Sequence, residues 1–344
     1  MTPIKQFANI HSLWLPALVA ALASCRHQTA PSTSAQLPPT VQVTEAPALP
    51  QGRGSHAAGV VRGQIIVAGG SSWNQDGTVK TYHADSTVYD QGRWSPGPTL
   101  PIPFAEGAYA CDGSALYLAG GLRGAEQPND QVYRITRQND RWSIQTLMPL
   151  PHVLFGNAGA ILNNTFYVAC GMVDAKSINE LWSLDLSSDS PRWTRKAFLP
   201  GPGRSYPALV SCGGSLYLLG GLMDQPADFH LRTQNDVYRY DPDADHWTLL
   251  GKLPIAGYCW SADAVDDSHL LITGRADGQI HDDIWIVDLK TLQAEQIGKT
   301  LTPTTCAALI ATSPNQWWLI GGEPDANRHR TSRISVIDLQ TTGK

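Results

Sequence analysis

The chain has 344 residues, with 31 Gly, 24 Pro and 11 Trp, and only 16% of its residues are charged. So few charges with so many turn formers exclude a predominantly helical protein and fit many short strands joined by turns. The formal charge of -5, with no basic tract, argues against a nucleic-acid partner, and an anionic ligand would need a local cationic cluster to hold it.

In chain order, residues 1–25 read as a targeting segment. Lys5 supplies a weak basic start, and the apolar stretch 12–21 is too short to span a membrane as a mature helix. It ends in Leu22-Ala23-Ser24-Cys25, which resembles a bacterial lipobox. That resemblance implies cleavage before Cys25 and lipid on its thiol. Arg26 stands where the inner-membrane retention signal has Asp, so the expected location is the cell envelope, anchored in the outer membrane and facing the periplasm. An ordinary secretory signal with an incidental Cys is the competing reading. Residues 26–40 are rich in Pro, Ser and Thr and read as a flexible tether.

From residue 41 onward one grammar repeats. Six apolar runs end in Gly-Gly or a near match, at 65–70, 116–121, 167–171, 216–221, 270–274 and 317–322. The terminal glycines recur roughly every 50 residues. Each run follows a strand of small residues (54–61, 105–111 and 205–212 are the clearest) and a tight polar turn. An alternating strand comes next, then a last strand opened by Trp94, Trp142, Trp193 or Trp247 that exits through Leu-Pro. Small residues suit strands crowded around an axis, and the Trp rings suit packing between neighbouring units. The fifth unit lacks the Trp, and 291–297 fills its fourth strand. The sixth stops after three strands, and 40–50 can supply the missing one.

The period and the Gly-Gly ends resemble kelch repeats. The expected fold is all-β, a six-bladed kelch-type β-propeller over 41–344 whose ring is closed by an N-terminal strand. Cys111, Cys170, Cys212, Cys259 and Cys306 fall in or beside strand patterns of different blades. An odd count without a CxxC reads as buried free thiols, with no disulfide framework or zinc site. A metal reading of Asp277, His281, Asp282 and Asp283 is weak, because Asp283 opens a strand as Asp236 does one blade earlier. His83, His152, His230 and His329 are scattered over four blades.

A narrower resemblance rests on blade six. Gly321-Gly322-Glu323, followed by Arg328, Arg330 and Thr331, is similar to the Gly-Glu…Arg-Thr segment of bacterial N-acetylneuraminate epimerases, the sialic acid mutarotases. The run from Ala197 through Arg204, the run from Asn235 through Pro242, and Lys80-Thr81-Tyr82 resemble further segments of that family, in a rotated order that resembles its cyclically permuted branch. The resemblance covers roughly residues 40–340. It implies a cofactor-free, metal-free isomerase acting on a small sugar acid, with Glu323 and Arg330 catalytic and Arg204, Arg328, Lys80 and Tyr82 as substrate-binding candidates. Opening a hemiketal needs a group that takes and returns a proton, which suits a carboxylate such as Glu323. The substrate's own carboxylate suits a guanidinium clamp, Arg330. The spacing from Glu to Arg is one residue longer than in the family, so Arg328 rivals Arg330. The alternative is a non-catalytic propeller that binds glycan or a protein partner through its loops. In that case Glu323 and Arg330 form an ordinary surface ion pair.

Overall fold

The computed structural model describes residues 40–225 and 232–340. The leader, Cys25, all of the tether but Thr40, and His230 lie outside the described residues. The chain opens with β1 (Thr40–Glu45). Blade one comprises β2 (Ala57–Val61), β3 (Gln64–Ala68), an inserted hairpin of β4 (Ser71–Trp73) and β5 (Lys80–Tyr82), then β6 (Ser86–Asp90) and β7 (Arg93–Pro96). Blade two comprises β8 (Ala108–Cys111), β9 (Ala115–Ala119), β10 (Val132–Gln138) and β11 (Arg141–Thr146). Blade three comprises β12 (Ala158–Leu162), β13 (Thr165–Ala169), the short hairpin β14 (Met172–Val173) and β15 (Lys176–Ser177), then β16 (Leu181–Asp185) and β17 (Trp193–Arg195).

Blade four comprises β18 (Ala208–Cys212), β19 (Ser215–Leu219), β20 (Asp236–Asp241) and β21 (His246–Lys252). Blade five comprises β22 (Ser261–Ala264), β23 (His269–Thr273), β24 (Asp283–Asp288) and β25 (Ala294–Lys299). Blade six comprises β26 (Ala308–Ser313), β27 (Gln316–Ile320) and β28 (Ile334–Gln340), and β1 completes it. The pairing of β1 with β28 is antiparallel, from Thr40 opposite Gln340 to Glu45 opposite Ser335. Thr40 therefore belongs to the propeller and not to the tether. The fold is an all-β, six-bladed propeller closed by its N-terminal strand, as the repeats imply. Closure leaves no long unpaired sheet edge.

Apolar clusters fill the seams between blades. Val210, Tyr217, Leu219, Trp260, Leu270 and Ile272, for example, pack blade four against blade five. In blades one, three and four the recurring Trp also ties its blade to the one before it. Trp94 Nε1 donates to Pro47 O at 2.8 Å, Trp193 Nε1 to Met148 O at 2.9 Å and Trp247 Nε1 to Ala197 O at 2.9 Å. Each acceptor lies two residues before a buried Leu of the Leu-Pro exit: Leu49, Leu150 and Leu199. One indole thus fills the seam and fixes the strand beside it.

The inner strands differ from their expected bounds. The first three residues of 54–61, 105–111 and 205–212 are not strand, because Ser55, Glu106 and Tyr206 adopt φ of 56°, 59° and 54°. A left-handed residue reverses the pleat, so regular pairing starts only beyond it. These residues build the end of the channel.

Candidate active site

A collar rings one end of the central channel. Ser55, Glu106, Gly156, Tyr206, Cys259 and Cys306 stand at the same place in successive blades, and all have φ between 50° and 64°. The amide of Glu106 donates to Ser55 O at 3.0 Å, Gly156 to Glu106 O at 2.7 Å and Tyr206 to Gly156 O at 2.6 Å. Cys259 donates to Tyr206 O at 2.9 Å and Ser55 to Cys306 O at 2.8 Å. The collar residues line a channel of about 470 Å³.

Just outside the collar, each blade places a residue one or two positions beyond the glycine that ends its strand. Ser71, Leu122, Met172, Leu222 and Ala276 occupy that place in five blades, and Glu323 occupies it in the sixth. Glu323 exchanges both backbone hydrogen bonds with Thr305, at 2.8 and 3.0 Å, which seats it directly above Cys306. A Cβ on the preceding Gly322 would lie 2.3 Å from Thr304 Oγ1 and 2.6 Å from Thr305 O. Only glycine allows the carboxylate to be delivered so close to the ring.

Glu323 Oε1 lies 2.8 Å from Arg330 Nη2, and the two side chains are 26% and 5% exposed. This is a largely buried pair, not the surface pair of the alternative reading. Burial raises the Glu323 carboxyl above its usual range, opposed by the charges of Arg330 and Lys80 and by a hydrogen bond from the Cys306 thiol, while the negative charge of Glu106 adds to the rise. Lys80 Nζ lies 2.8 Å from Glu106 Oε1, and Tyr206 Oη donates to Glu106 Oε2 at 2.6 Å. Burial pulls the Lys80 ammonium down, but the charge of Glu106 and its hydrogen bond prevail and raise it. Burial and Glu106 also hold the Tyr206 phenol protonated, far above the ordinary phenol range. Tyr206 reaches Glu106 across blade three, and Gly156 makes this route available. A Cβ there would stand 3.2 Å from the Tyr206 ring.

Four of the six sequence candidates therefore converge. Glu323 and Arg330 come from the β27–β28 loop, and Lys80 and Tyr82 from the β5 arm of the blade-one hairpin. Tyr82 serves as a platform, its ring centroid 5.0 Å from Lys80 Nζ. Arg328 turns outward. Its guanidinium stacks 4.7 Å from the Trp73 ring and donates to Gly77 O at 2.9 Å, which ties the loop to the hairpin. Arg330 is thus the arginine that pairs with Glu323.

Arg204 is not at the mouth. Its side chain is 0% exposed and bonds Gly220 O and both carboxylate oxygens of Asp236. In blade one Arg53 holds Gly69 O and one carboxylate oxygen of Asp85. In blade five Arg275 holds Asp283 and Asp277, while Lys299 holds Asp282, so the acidic group near His281 is occupied by cations. Among the described residues no group of three or more His, Cys, Asp or Glu could hold a metal ion. No described helix is long and apolar enough to cross a membrane.

Sequence reasoning missed Glu106, Tyr206, Cys259 and Cys306. Cys111 and Cys212 do sit in strands, but Cys259 and Cys306 are collar residues partly open to the channel, not small hydrophobes of a strand. The available signal was the isolated carboxylate of Glu106 in a run of small residues.

Deeper in the channel, Asp263 accepts hydrogen bonds from Ala264 N at 2.9 Å and Trp317 Nε1 at 3.1 Å, yet burial dominates and pushes its carboxyl up to about 6. The folded state therefore holds a proton that the unfolded chain has released, and stability from this group is lost as pH rises from about 4 to about 6. Asp263→Asn keeps an acceptor and removes the ionisation. Relative to wild type it is expected to gain on the order of 3 kcal/mol between pH 4 and pH 7. Urea unfolding at the two pH values measures this, and an unchanged difference would refute it.

The KLHDC2/KLHL20/DRC7 Kelch-repeats domain family matches this chain over residues 55–253 and again over 105–293. Kelch-like protein 15 of Mus musculus is 26% identical over 234 residues, which is 62% of this chain and 37% of that protein. Kelch-like protein 25 of Xenopus tropicalis is 26% identical over 277 residues, 78% of this chain and 44% of that protein. N-acetylneuraminate epimerase of Haemophilus influenzae (strain PittEE) is 32% identical over 130 residues, 38% of this chain and 33% of that protein. The chain thus spans less than half the length of each of these relatives. With the family match extending over more than half of its length and all six blades built on one plan, this chain belongs to the kelch-repeat family.

Proposed function

We propose that this protein is an isomerase that interconverts the anomers of N-acetylneuraminate or a related sugar acid. The observation that carries this reading is the buried Glu323–Arg330 pair at the channel mouth, with Lys80 beside it. The partial likeness to an N-acetylneuraminate epimerase adds support. A lipid anchor on Cys25 would let the enzyme meet free sugar at the cell envelope.

The reaction opens a cyclic hemiketal. The anomeric hydroxyl loses its proton, its oxygen becomes the carbonyl, and the ring C–O bond breaks with protonation of the ring oxygen. Rotation presents the other carbonyl face, and the ring hydroxyl adds back with the proton movements reversed. Glu323 takes the anomeric proton and passes it to the ring oxygen, and on closure it takes the ring-hydroxyl proton and returns it to the carbonyl oxygen. Glu106, which accepts hydrogen bonds from Tyr206 and Lys80, holds Lys80 at the mouth. The substrate carboxylate lodges against Lys80 and Arg330, drawing Arg330 away from Glu323. Loss of that cation raises Glu323 further and favours its acid form when the ring oxygen needs a proton. Every group required belongs to the chain, so no metal or organic cofactor enters.

Proton NMR of freshly released α-N-acetylneuraminate tests the proposal. The protein is expected to hasten α-to-β conversion above the blank, and a rate equal to the blank would reject it. A second reading, a non-catalytic kelch module that binds glycan or protein, is favoured by the broader coverage of the Kelch-like relatives. It predicts no acceleration but a thermal shift with its ligand.

A further inference from the structure

The collar departs from its own pattern at one seam. Five neighbouring pairs around the ring are joined by backbone hydrogen bonds of 2.6–3.0 Å. The sixth pair is Cys259 and Cys306, at the junction of blades five and six. The contact described there is the Thr305 hydroxyl reaching Cys259 O at 3.4 Å. The two residues share the left-handed conformation, with φ of 50° and 51°, so their side chains leave the ring in the same sense. Both are partly open to the channel, and their thiols are within hydrogen-bonding reach of each other. The other cysteines among the described residues are engaged elsewhere: Cys111 donates to Val60 O and Cys212 to Asp266 O, and Cys170 is buried.

We propose that Cys259 and Cys306 form an intramolecular disulfide across this seam, a covalent sixth link of the collar, when the protein meets a small disulfide oxidant. The neighbouring Cys306 thiol, and burial after it, raise the Cys259 thiol well above its ordinary range, so attack begins at Cys306. The Cys306 thiolate displaces one thiol from the oxidant and becomes a mixed disulfide. Cys259, on losing its proton, attacks the Cys306 sulfur and expels the second thiol. The protein loses two hydrogens and the oxidant gains them as two thiols. The same Cys306 thiol hydrogen-bonds Glu323, and a disulfide sulfur has no proton to donate. Oxidation thus withdraws one hydrogen bond from the carboxylate at the mouth, whether or not that carboxylate is catalytic.

The full chain, treated with oxidised glutathione, alkylated with iodoacetamide and digested with trypsin, tests this by mass. Cys259 and Cys306 fall in the peptides 253–275 and 300–328. The expected result is a linked pair about 2 Da below the sum of the two reduced peptides. Dithiothreitol should release it. Cys259→Ser and Cys306→Ser should each abolish the link, and the Cys259→Ser protein should retain a glutathione adduct on Cys306. Alkylation of both thiols after oxidation, a glutathione adduct that persists in the wild-type chain, or pairing with a different cysteine would overturn the proposal. None of these outcomes depends on the sugar chemistry.

Discussion

Glu323→Gln is expected to lower the acceleration of anomer interconversion by about two to four orders of magnitude, the usual contribution of a positioned acid–base group. Gln fills the same space and can still accept from Arg330, but it cannot carry the proton. KM should change little, because the proposed carboxylate grip belongs to Lys80 and Arg330. The pH profile adds a second readout. As the base, Glu323 must be ionised, so the wild-type rate should fall as pH drops through its folded pKa. Burial has raised that pKa, so the acid limb should lie above the ordinary carboxylate range. Arg330→Leu removes the largest influence opposing burial and should move the limb to still higher pH. An acid limb that persists in Glu323→Gln would assign the proton transfer to another group, with Glu106 the first candidate.

The architecture was legible because it rests on local chemistry repeated six times. Glycine-ended apolar strands and Leu-Pro exits mark each blade, four blades add a Trp, and the missing strand of blade six had one candidate donor. Glu323 and Arg330 were legible for a different reason. A carboxylate stands where other blades place Ser, Leu, Met or Ala, and an unusual loop follows it. The collar was not legible. Its six residues share a conformation but not a chemistry: Ser, Glu, Gly, Tyr and two Cys have no common side-chain property for a sequence pattern to catch. Their equivalence is set by backbone hydrogen bonds between blades about 50 residues apart. Glu106 and Tyr206 come from blades two and four, and they meet only because Gly156 leaves space between them.

Arg204 shows how a repeated structural residue can resemble a site residue. Arg204→Leu is expected to destabilise the propeller by about 3–5 kcal/mol, the cost of leaving one partner of a buried ion pair uncompensated. Asp236 would keep its charge without the guanidinium, and Gly220 O would lose its donor. A substrate-binding residue would behave in the opposite way, with stability close to wild type and KM raised. Adding Asp236→Leu should restore part of the loss, because buried pairs replaced by apolar residues are often near neutral. The double variant should therefore fall short of the sum of the singles by roughly 0.5–3 kcal/mol. Urea unfolding of the four proteins gives this directly. Strict additivity, or an Arg204→Leu protein as stable as wild type, would refute the clamp. Blade one offers an independent check through Arg53, which bonds Gly69 O and one carboxylate oxygen of Asp85. Asp85 is about half exposed, so Arg53→Leu should cost less than Arg204→Leu. The difference between these two arginines separates a blade-locking role, graded by burial, from recognition of a ligand at the mouth.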